Sequence, residues 1–360
     1  MSLSIGIVGL PNVGKSTLFN ALTNNNILAA NYPFATIEPN TGIVPVPDER
    51  LNVLAKMYHA EKIIPATVTF VDIAGLVAGA SKGEGLGNKF LANIRQCDAI
   101  VHIVRAFESD DIVHVENIID PKRDIDTINT ELILADLQTL ETRLTRLAKE
   151  AKANPKASAI KNRLEVLAEK LRAGTPINEI SGVDPDDIAD LHLLTGKPVI
   201  YVFNVNEETL ASEDKKQSLR NLVPHSRSLF ICAKLEDEIK GLNPSDTLEL
   251  LQSYDVPEAG LTQMIRAAYD LLGLQSYLTA GPKEVRAWTI HQGWTAPQAA
   301  GVIHTDFEKG FIAAQVVNYD DLVAAGSEAN ARAAGKIRTE GKTYVMQPDD
   351  VVEFRFNVSK

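Results

Sequence analysis

The residues best suited to chemistry form a glycine-rich loop near the start of the chain. Residues 9–16 read GLPNVGKS, which matches the pattern GxxxxGK(S/T), between an apolar stretch and a helical pattern. Glycines let the backbone wrap closely around a phosphate, and Lys15 adds a positive charge toward the β- and γ-phosphate oxygens. Ser16 can supply a hydroxyl to Mg²⁺. The loop therefore predicts a nucleotide site whose contacts come from Asn12, Val13, Gly14, Lys15, Ser16 and Thr17.

A second element adds an acidic group to the same site. Residues 66–75 read ATVTFVDIAG, a buried-looking strand that ends in Asp72 and leads to Gly75. We expect Asp72 to hold Mg²⁺, mostly through water, and the Gly75 amide to meet the γ-phosphate. Thr36 lies in the turn-rich segment NYPFATIEPN, and its hydroxyl is predicted to complete the metal shell. The glycine-dense segment 79–87 predicts a switch that becomes ordered when nucleotide binds.

The catalytic groups differ from those of common GTP hydrolases. The position after Gly75 holds Leu76, whose side chain cannot orient an attacking water. We therefore expect slow intrinsic turnover, with most of the catalysis supplied by Lys15 and Mg²⁺. His114, in FESDDIVHVEN, is a candidate for positioning the water, because a neutral imidazole can accept a proton at physiological pH. The alternative is an exposed histidine with no catalytic role.

The elements around these residues follow an α/β pattern. Short β-branched runs alternate with helical patterns from Ser4 to about residue 127 and again from about residue 196 to 278, which predicts a mainly parallel sheet. Between them, apolar residues repeat at spacings of three and four over 133–151 and 160–171, and Asn154 and Pro155 interrupt the repeat. This pattern predicts an antiparallel helical hairpin.

Three domains are expected from this organisation. The nucleotide-binding domain takes residues 1–127 and 196–277, and a helical coiled-coil insertion takes 128–195. After Gly273 the pattern changes to strand, helix and strand, which predicts a small α+β module at 278–360.

Composition narrows the choice of partners and location. The apolar runs fall far short of the roughly 20 residues of a membrane span, and the first residues lack a signal-peptide pattern. We therefore expect a cytoplasmic protein with no membrane partner. The net charge of −11 argues against general coating of nucleic acid, and we expect no sequence-specific DNA partner. Cys97 and Cys232 have neither metal-ligand nor CxxC spacing, so two buried thiols are expected.

Four segments together resemble a known family: GLPNVGKS, NYPFATIEPN, DIAGL and GLVAGASKGEGLGNKFL. They are similar to the Obg-like branch of translation-factor-type P-loop NTPases, and most closely to its YchF, or Obg-like ATPase, subfamily. The resemblance covers nearly the whole chain and implies a Ras-like G domain carrying the hairpin. The segments EVRAWTI and KTYVMQPDDVVEFRFNV resemble a C-terminal TGS domain.

The resemblance also implies partners and a further cofactor. It implies a nucleotide-driven switch that acts on the ribosome or on a ribosome-associated protein or RNA, through the TGS-like module or the coiled coil. In related cation-dependent NTPases, an asparagine at the position of Asn12 holds K⁺ beside the phosphates. K⁺ is therefore a candidate cofactor in addition to Mg²⁺.

Base selection is where the sequence departs from GTPases. Residues 204–207 read NVNE where GTPases carry NKxD, so Val205 replaces the lysine that covers the base and Glu207 is one methylene longer than aspartate. In the resembled subfamily this NxxE segment accompanies ATP preference. The resemblance implies that Asn204 pairs adenine N6 and N7 and that the Ala233 backbone lies beside the purine. An Obg-type GTPase and a nucleotide-gated binding module with negligible hydrolysis remain the alternatives.

Overall fold

A computed structural model of the chain describes residues 3–24, 40–73, 86–108 and 119–357. The predictions for Thr36, Gly75 and His114 lie outside the described residues, as do Leu76 and the switch segment up to residue 85. The other predicted site residues all lie inside them.

Within those ranges, the β-strands are distributed along the chain as follows. They are β1 (Ser4–Val8), β2 (Thr41–Pro45), β3 (Ile63–Ile64), β4 (Thr67–Asp72), β5 (Ala99–Ala106), β6 (Val199–Val205), β7 (Arg227–Ile231), β8 (Leu274–Ala280), β9 (Val285–His291), β10 (Phe311–Asn318), β11 (Arg338–Glu340) and β12 (Asp350–Phe356).

The α-helices of the same described ranges vary from single turns to a helix of 30 residues. They are α1 (Lys15–Asn24), α2 (Glu49–Tyr58), α3 (Leu86–Gln96), α4 (Pro121–Glu150), α5 (Pro155–Arg172), α6 (Pro185–Ile188), α7 (Glu207–Ala211), α8 (Glu213–Arg220), α9 (Ala233–Glu238), α10 (Pro244–Ser253), α11 (Gly260–Leu271), α12 (Ala296–Ile303), α13 (Thr305–Lys309), α14 (Tyr319–Ala325) and α15 (Glu328–Ala333).

The first sheet has the strand order β2-β4-β1-β5-β6-β7. Strands β4, β1, β5, β6 and β7 pair in parallel, which confirms the mainly parallel sheet predicted from the alternating pattern. Central strands of such sheets are buried on both faces, and Ile5, Ile7 and Val8 of β1 are fully buried. The carboxyl ends of parallel strands meet at one edge, so β1, β4 and β6 bring the glycine-rich loop, Asp72 and Asn204 to that edge.

The predicted helical hairpin is formed by α4 and α5. Its apolar seam includes Leu140, Leu147, Leu164 and Leu171, each no more than 1% exposed. The turn is as predicted, because the Asn154 side chain accepts a hydrogen bond from the Lys156 amide at 3.0 Å and Pro155 begins α5.

A buried carboxylate ties the base of the hairpin to the chain just before β6. Asp136 of α4 is 1% exposed and accepts hydrogen bonds from the amides of Leu194 and Thr195 and from the Thr195 hydroxyl, each at 2.7 Å. The carboxylate thus satisfies three donors of a buried connection that would otherwise lack partners.

The chain divides into two compact units, and the division differs from the predicted domains at residues 44–68 and at residues 265–277. One unit contains Met1–Ile43 and Thr69–Met264, and the other contains Val44–Val68 and Ile265–Lys360. The segment 44–68, which lies between the glycine-rich loop and Asp72 in sequence, is thus grouped with the C-terminal module. The three domain bounds given above remain a prediction.

Pairing and ionic contacts explain why this segment is grouped with the C-terminal module. The module's mixed sheet has the order β11-β10-β12-β8-β9-β3, and β3 joins it by parallel pairing with β9. Arg50 of α2 contacts the Pro348 carbonyl oxygen at 2.7 Å and the Asp349 carboxylate at 2.8 Å. The helix α12, which the strand, helix and strand pattern of the module predicts, packs on this sheet, where the Tyr277 hydroxyl donates to the Ala299 carbonyl at 3.0 Å.

None of the helices in the described ranges combines the length and apolar content that a membrane span requires.

Candidate functional site

The glycine-rich loop has the backbone conformation that phosphate binding demands. Asn12 and Gly14 have φ angles of 63° and 90°, a left-handed region that asparagine and glycine tolerate best. A Cβ at Gly14 would also collide with the side-chain amide of Asn204, so glycine is required there for space as well as for φ. A Cβ at Gly9 would come within 2.8 Å of the Ile103 carbonyl oxygen. Both glycines of the GxxxxGK(S/T) pattern therefore occupy positions where a side chain would collide with a neighbouring group.

The loop opens onto a cleft that brings most of the predicted phosphate and metal residues together. Its volume is about 490 Å³, and it is lined by Leu10, Pro11, Asn12, Gly14, Lys15, Ser16, Thr17, Asn40 and Asp72. Lys15 is 9% exposed, and its ammonium is paired with the Asp72 carboxylate. The cleft is large enough for the phosphates of a nucleotide, and it begins at the N-terminal end of α1, where the helix dipole favours an anion.

The oxygen donors of this cleft fit a hard cation. Ser16 and Thr17 are exposed in the first turn of α1, and Asp72 supplies a carboxylate at the end of β4. Hydroxyl and carboxylate oxygens are the ligands that Mg²⁺ takes, usually together with substrate phosphates. No cluster of three or more His, Cys, Asp or Glu in the described ranges could hold a metal by itself.

Asn204 joins the phosphate loop to the predicted base-binding loop. Its side chain is 2% exposed; the Nδ2 atom donates to the Val13 carbonyl at 3.0 Å, and the Oδ1 atom accepts from the Ala233 amide at 3.2 Å. An asparagine side chain has two N–H donors and two acceptor lone pairs, so one of each is left. The predicted contact of Asn204 with adenine stays a prediction, and it must use these remaining groups.

The other residues predicted to bind the base are Val205, Ala233 and Glu207. The first two can contribute through their backbones, and Glu207 can contribute through its side chain. Val205 is 2% exposed and packs in an apolar core cluster, so any contact from it to a base would come from its backbone. Ala233 begins α9, and its amide is held by Asn204. Glu207 begins α7, and its Oε1 atom accepts a hydrogen bond from Lys234 at 2.7 Å. Both this hydrogen bond and the Lys234 charge hold the pKa of Glu207 below its usual value.

Two residues of this region were not predicted as site residues. Asn40 lines the cleft with a φ of 70°, and its carbonyl accepts the Asp72 amide at 2.7 Å. The sequence indicated this region, because Asn40 is the last residue of the turn-rich segment NYPFATIEPN. Such a segment does not show which of its residues lies beside β4. Lys234 follows Ala233 directly, yet its pairing with Glu207 joins residues 27 apart in sequence and had no local signal.

Comparison with known proteins gives the family. Residues 4–136 match the family described as "50S ribosome-binding GTPase", and residues 274–357 match YchF-GTPase_C, described as "Protein of unknown function (DUF933)". A Pasteurella multocida protein named "Ribosome-binding ATPase YchF" is 53% identical, over 99% of this chain and all of that protein. The chain belongs to the YchF family. A Bacillus subtilis member with the same name is 49% identical over the same shares of both chains.

A solved structure supports the same assignment. The structure titled "Structure of the Schizosaccharomyces pombe YchF GTPase" is 37% identical in sequence, with a TM-score of 0.87 over 98% of both chains. That YchF structure therefore shares the fold of this chain along nearly its whole length. The family resemblance and the fold class expected from the sequence motifs are both confirmed.

Proposed function

We propose that this chain is an Mg²⁺-dependent ATPase, which prefers ATP to GTP, acts as a conformational switch and associates with the ribosome in the cytoplasm. The main support is full-length similarity at 53% and 49% identity to two proteins named ribosome-binding ATPases. The geometry agrees, because the phosphate loop, Lys15 and Asp72 meet at one cleft and Asn204 links that loop to the base-binding loop.

The Lys15–Asp72 pair suggests how nucleotide enters. The ammonium and the carboxylate neutralise each other in the cleft, and an incoming phosphate would compete with Asp72 for Lys15. Once released, the Asp72 carboxylate would be available to hold Mg²⁺ together with the Ser16 hydroxyl. The metal, when bound, supplies charge stabilisation at the phosphate oxygens. Lys15 then stabilises the charge that develops during phosphoryl transfer.

Four further roles rest on sequence position and resemblance. Thr36 is proposed as an additional metal ligand, the Gly75 amide as a γ-phosphate donor, and His114 as the group that positions water. Asn12 is proposed as a K⁺ ligand, and this is supported by its left-handed conformation in the glycine-rich loop and its position in the lining of the cleft. Comparing hydrolysis in K⁺ with hydrolysis in Na⁺ tests this last role, and equal rates would exclude it.

A GTPase is the competing function, and a specific observation favours it. The family matched by residues 4–136 and the S. pombe structure both carry GTPase in their descriptions. Against it, residues 204–207 lack the lysine and aspartate of NKxD. A site that hydrogen-bonds guanine can discriminate strongly against other bases. The loss of the shorter aspartate that makes these bonds in GTPases therefore argues against a preference for GTP.

Single-turnover hydrolysis separates these functions and a non-hydrolysing module. Protein in excess over labelled ATP or GTP, with Mg²⁺, should release phosphate from ATP faster than from GTP, and Lys15→Ala should abolish release. Faster release from GTP would favour the GTPase. Binding of ATP without measurable release would favour a nucleotide-gated binding module.

The charge of the hairpin supports the coiled coil as the part that contacts the ribosome. The end of the hairpin, residues 144–160, carries one acidic residue, Glu150, and four exposed basic residues: Arg146, Lys149, Lys152 and Lys156. This local excess of positive charge contrasts with the net charge of −11 of the whole chain. An exposed basic surface matches the phosphate backbone of ribosomal RNA, and its contribution to binding should fall as salt rises.

Ribosome co-sedimentation at low and moderate salt tests this assignment. Replacing the four basic residues of residues 144–160 by glutamine should weaken sedimentation and reduce its salt dependence, while ATP hydrolysis stays unchanged. The matched control replaces four exposed basic residues of the C-terminal module by glutamine: Lys309, Lys336, Lys342 and Arg355. Loss of binding in the control alone would assign the contact to the TGS-like module.

A further inference from the structure

The feature that carries a further inference is the ion pair between Lys234 and Glu207. The Nζ atom of Lys234 lies 2.7 Å from Oε1 of Glu207 and 3.9 Å from Oε1 of Glu238. Lys234 is the second residue of α9, directly after Ala233, whose amide is held by Asn204. The pair therefore lies next to the groups that connect the phosphate loop with the base-binding loop.

Glu207 stands where GTPases carry the aspartate that reads guanine. The Watson–Crick edge of guanine presents two neighbouring donors, N1–H and the N2 amino group, which suit a carboxylate. At the same two positions adenine presents the N1 lone pair, which a carboxylate repels, and the C2–H group, which is not a hydrogen-bond donor of comparable strength. Although Glu207 is one methylene longer than the aspartate of GTPases, a free carboxylate that reached the base would still favour guanine over adenine, whereas the chain is proposed to use ATP.

The ion pair resolves this conflict. The Glu207 side chain is 28% exposed and is held by a charge-assisted hydrogen bond from Lys234, which directs one oxygen to the lysine and neutralises the carboxylate. Cys232, at the N-cap of α9, is 2% exposed and makes no side-chain capping hydrogen bond. A thiol is a weak donor and would not hold a carboxylate well. Lys234 is thus a side chain that donates directly to the Glu207 carboxylate and holds one of its oxygens.

We propose that Lys234 is a specificity-determining residue, which withholds the Glu207 carboxylate from guanine and so favours adenine nucleotides. The inference rests on the proposed ATP preference and names one of its causes. An exposed ion pair contributes little to stability, so the effect should be seen in nucleotide selectivity and not in folding.

Lys234→Met tests the proposal, because methionine keeps much of the apolar stem and removes the charge. The affinities of ATP and GTP are measured in Mg²⁺ by competition against a fluorescent nucleotide. We expect the ratio of ATP to GTP affinity to fall at least fivefold. Lys215→Met is the matched control, because Lys215 forms a similar pair with the neighbouring Glu208 at 2.6 Å, and its ratio should stay within twofold of wild type. An unchanged ratio in Lys234→Met, even with lower affinity for both nucleotides, would overturn the proposal.

A double substitution shows whether Lys234 acts through Glu207. In a Glu207→Gln background, Lys234→Met should leave the ATP to GTP ratio unchanged, because the carboxylate is already absent. A similar fall in both backgrounds would mean that the lysine contacts the base directly, and the proposal would be wrong. The effect is a change of ratio, so it can be measured whichever nucleotide the wild type prefers. Failure of the proposed ATP preference would appear separately, as a wild type that binds GTP more tightly.

Discussion

Replacing Asn204 by alanine removes two buried hydrogen bonds in one step. The Val13 carbonyl and the Ala233 amide lose partners at 3.0 and 3.2 Å. A buried polar group left unpaired costs about 1–3 kcal/mol, and water from the nearby cleft can replace part of the loss. We therefore expect the free energy of unfolding of the nucleotide-free protein to fall by about 2–4 kcal/mol.

The same substitution should weaken nucleotide binding in a particular way. Without Asn204, the phosphate loop and the start of α9 are no longer held together, so affinity for both ATP and GTP should fall about tenfold or more, which corresponds to about 1.4 kcal/mol. If the remaining N–H and lone pair of Asn204 contact adenine, ATP should lose more than GTP. Urea unfolding measures the first effect, and fluorescence titration measures the second.

Asn206→Ala is the matched control for this experiment. Asn206 follows the same strand, and its side chain accepts the Thr209 amide at 3.0 Å, where it caps α7. Loss of a cap costs about 1 kcal/mol, and nucleotide affinity should change little. If Asn204→Ala destabilised the protein no more than Asn206→Ala does, the proposed connection between the two loops would be refuted.

Three further predictions concern the cleft and the core of the first unit. Asp72→Asn removes the carboxylate that pairs with Lys15, so ATP affinity measured in EDTA should stay the same or rise. Mg²⁺-dependent hydrolysis should be lost, because the metal loses a ligand. Weaker ATP binding in EDTA would contradict the proposal that phosphate replaces Asp72 as the partner of Lys15. Asp136→Ala leaves three buried donors unpaired and should lower the free energy of unfolding, measured in urea, by about 3–5 kcal/mol. Thr195→Val removes only the hydroxyl donor and should lower the free energy of unfolding by less. Equal losses in the two variants would contradict the idea that Asp136 stabilises the fold through all three hydrogen bonds. Burial raises the pKa of Glu236 from 4.5 to about 7, so the native state binds more protons than the unfolded state between these values. Its contribution to stability should therefore be lost as pH rises from about 4.5 to 7, and Glu236→Gln should remove that part of the slope in urea titrations. An identical slope in both proteins would contradict this assignment.

Local sequence signals were sufficient for the elements that carry the phosphate site. The loop GLPNVGKS specifies its own conformation through glycines and an asparagine, and the alternation of β-branched runs with helical patterns indicated the mainly parallel sheet that contains β1, β4, β5 and β6. The hairpin was equally readable, because its leucine spacing extends over many turns and Asn154 with Pro155 marks the reversal. These features depend on short-range chemistry, which a sequence displays directly.

The features that could not be predicted depend on contacts between distant residues. The 44–68 segment is grouped with the C-terminal module because β3 pairs with β9, and a strand of two residues gives no periodic signal. The two hydrogen bonds by which Asn204 connects loops of the protein join residues far apart in sequence, so no local pattern indicated them. The Lys234–Glu207 pair likewise becomes visible only when β6 and β7 lie side by side.

The most direct test of the central claim is a competition titration of ATP and GTP against a fluorescent nucleotide bound to the full chain in Mg²⁺. Lys15→Ala serves as the control that removes the phosphate contact. We predict that ATP binds at least about tenfold more tightly than GTP, a difference of about 1.4 kcal/mol. The Lys15→Ala variant should bind neither ATP nor GTP. Equal or tighter binding of GTP would contradict the claim that this cleft is an ATP site.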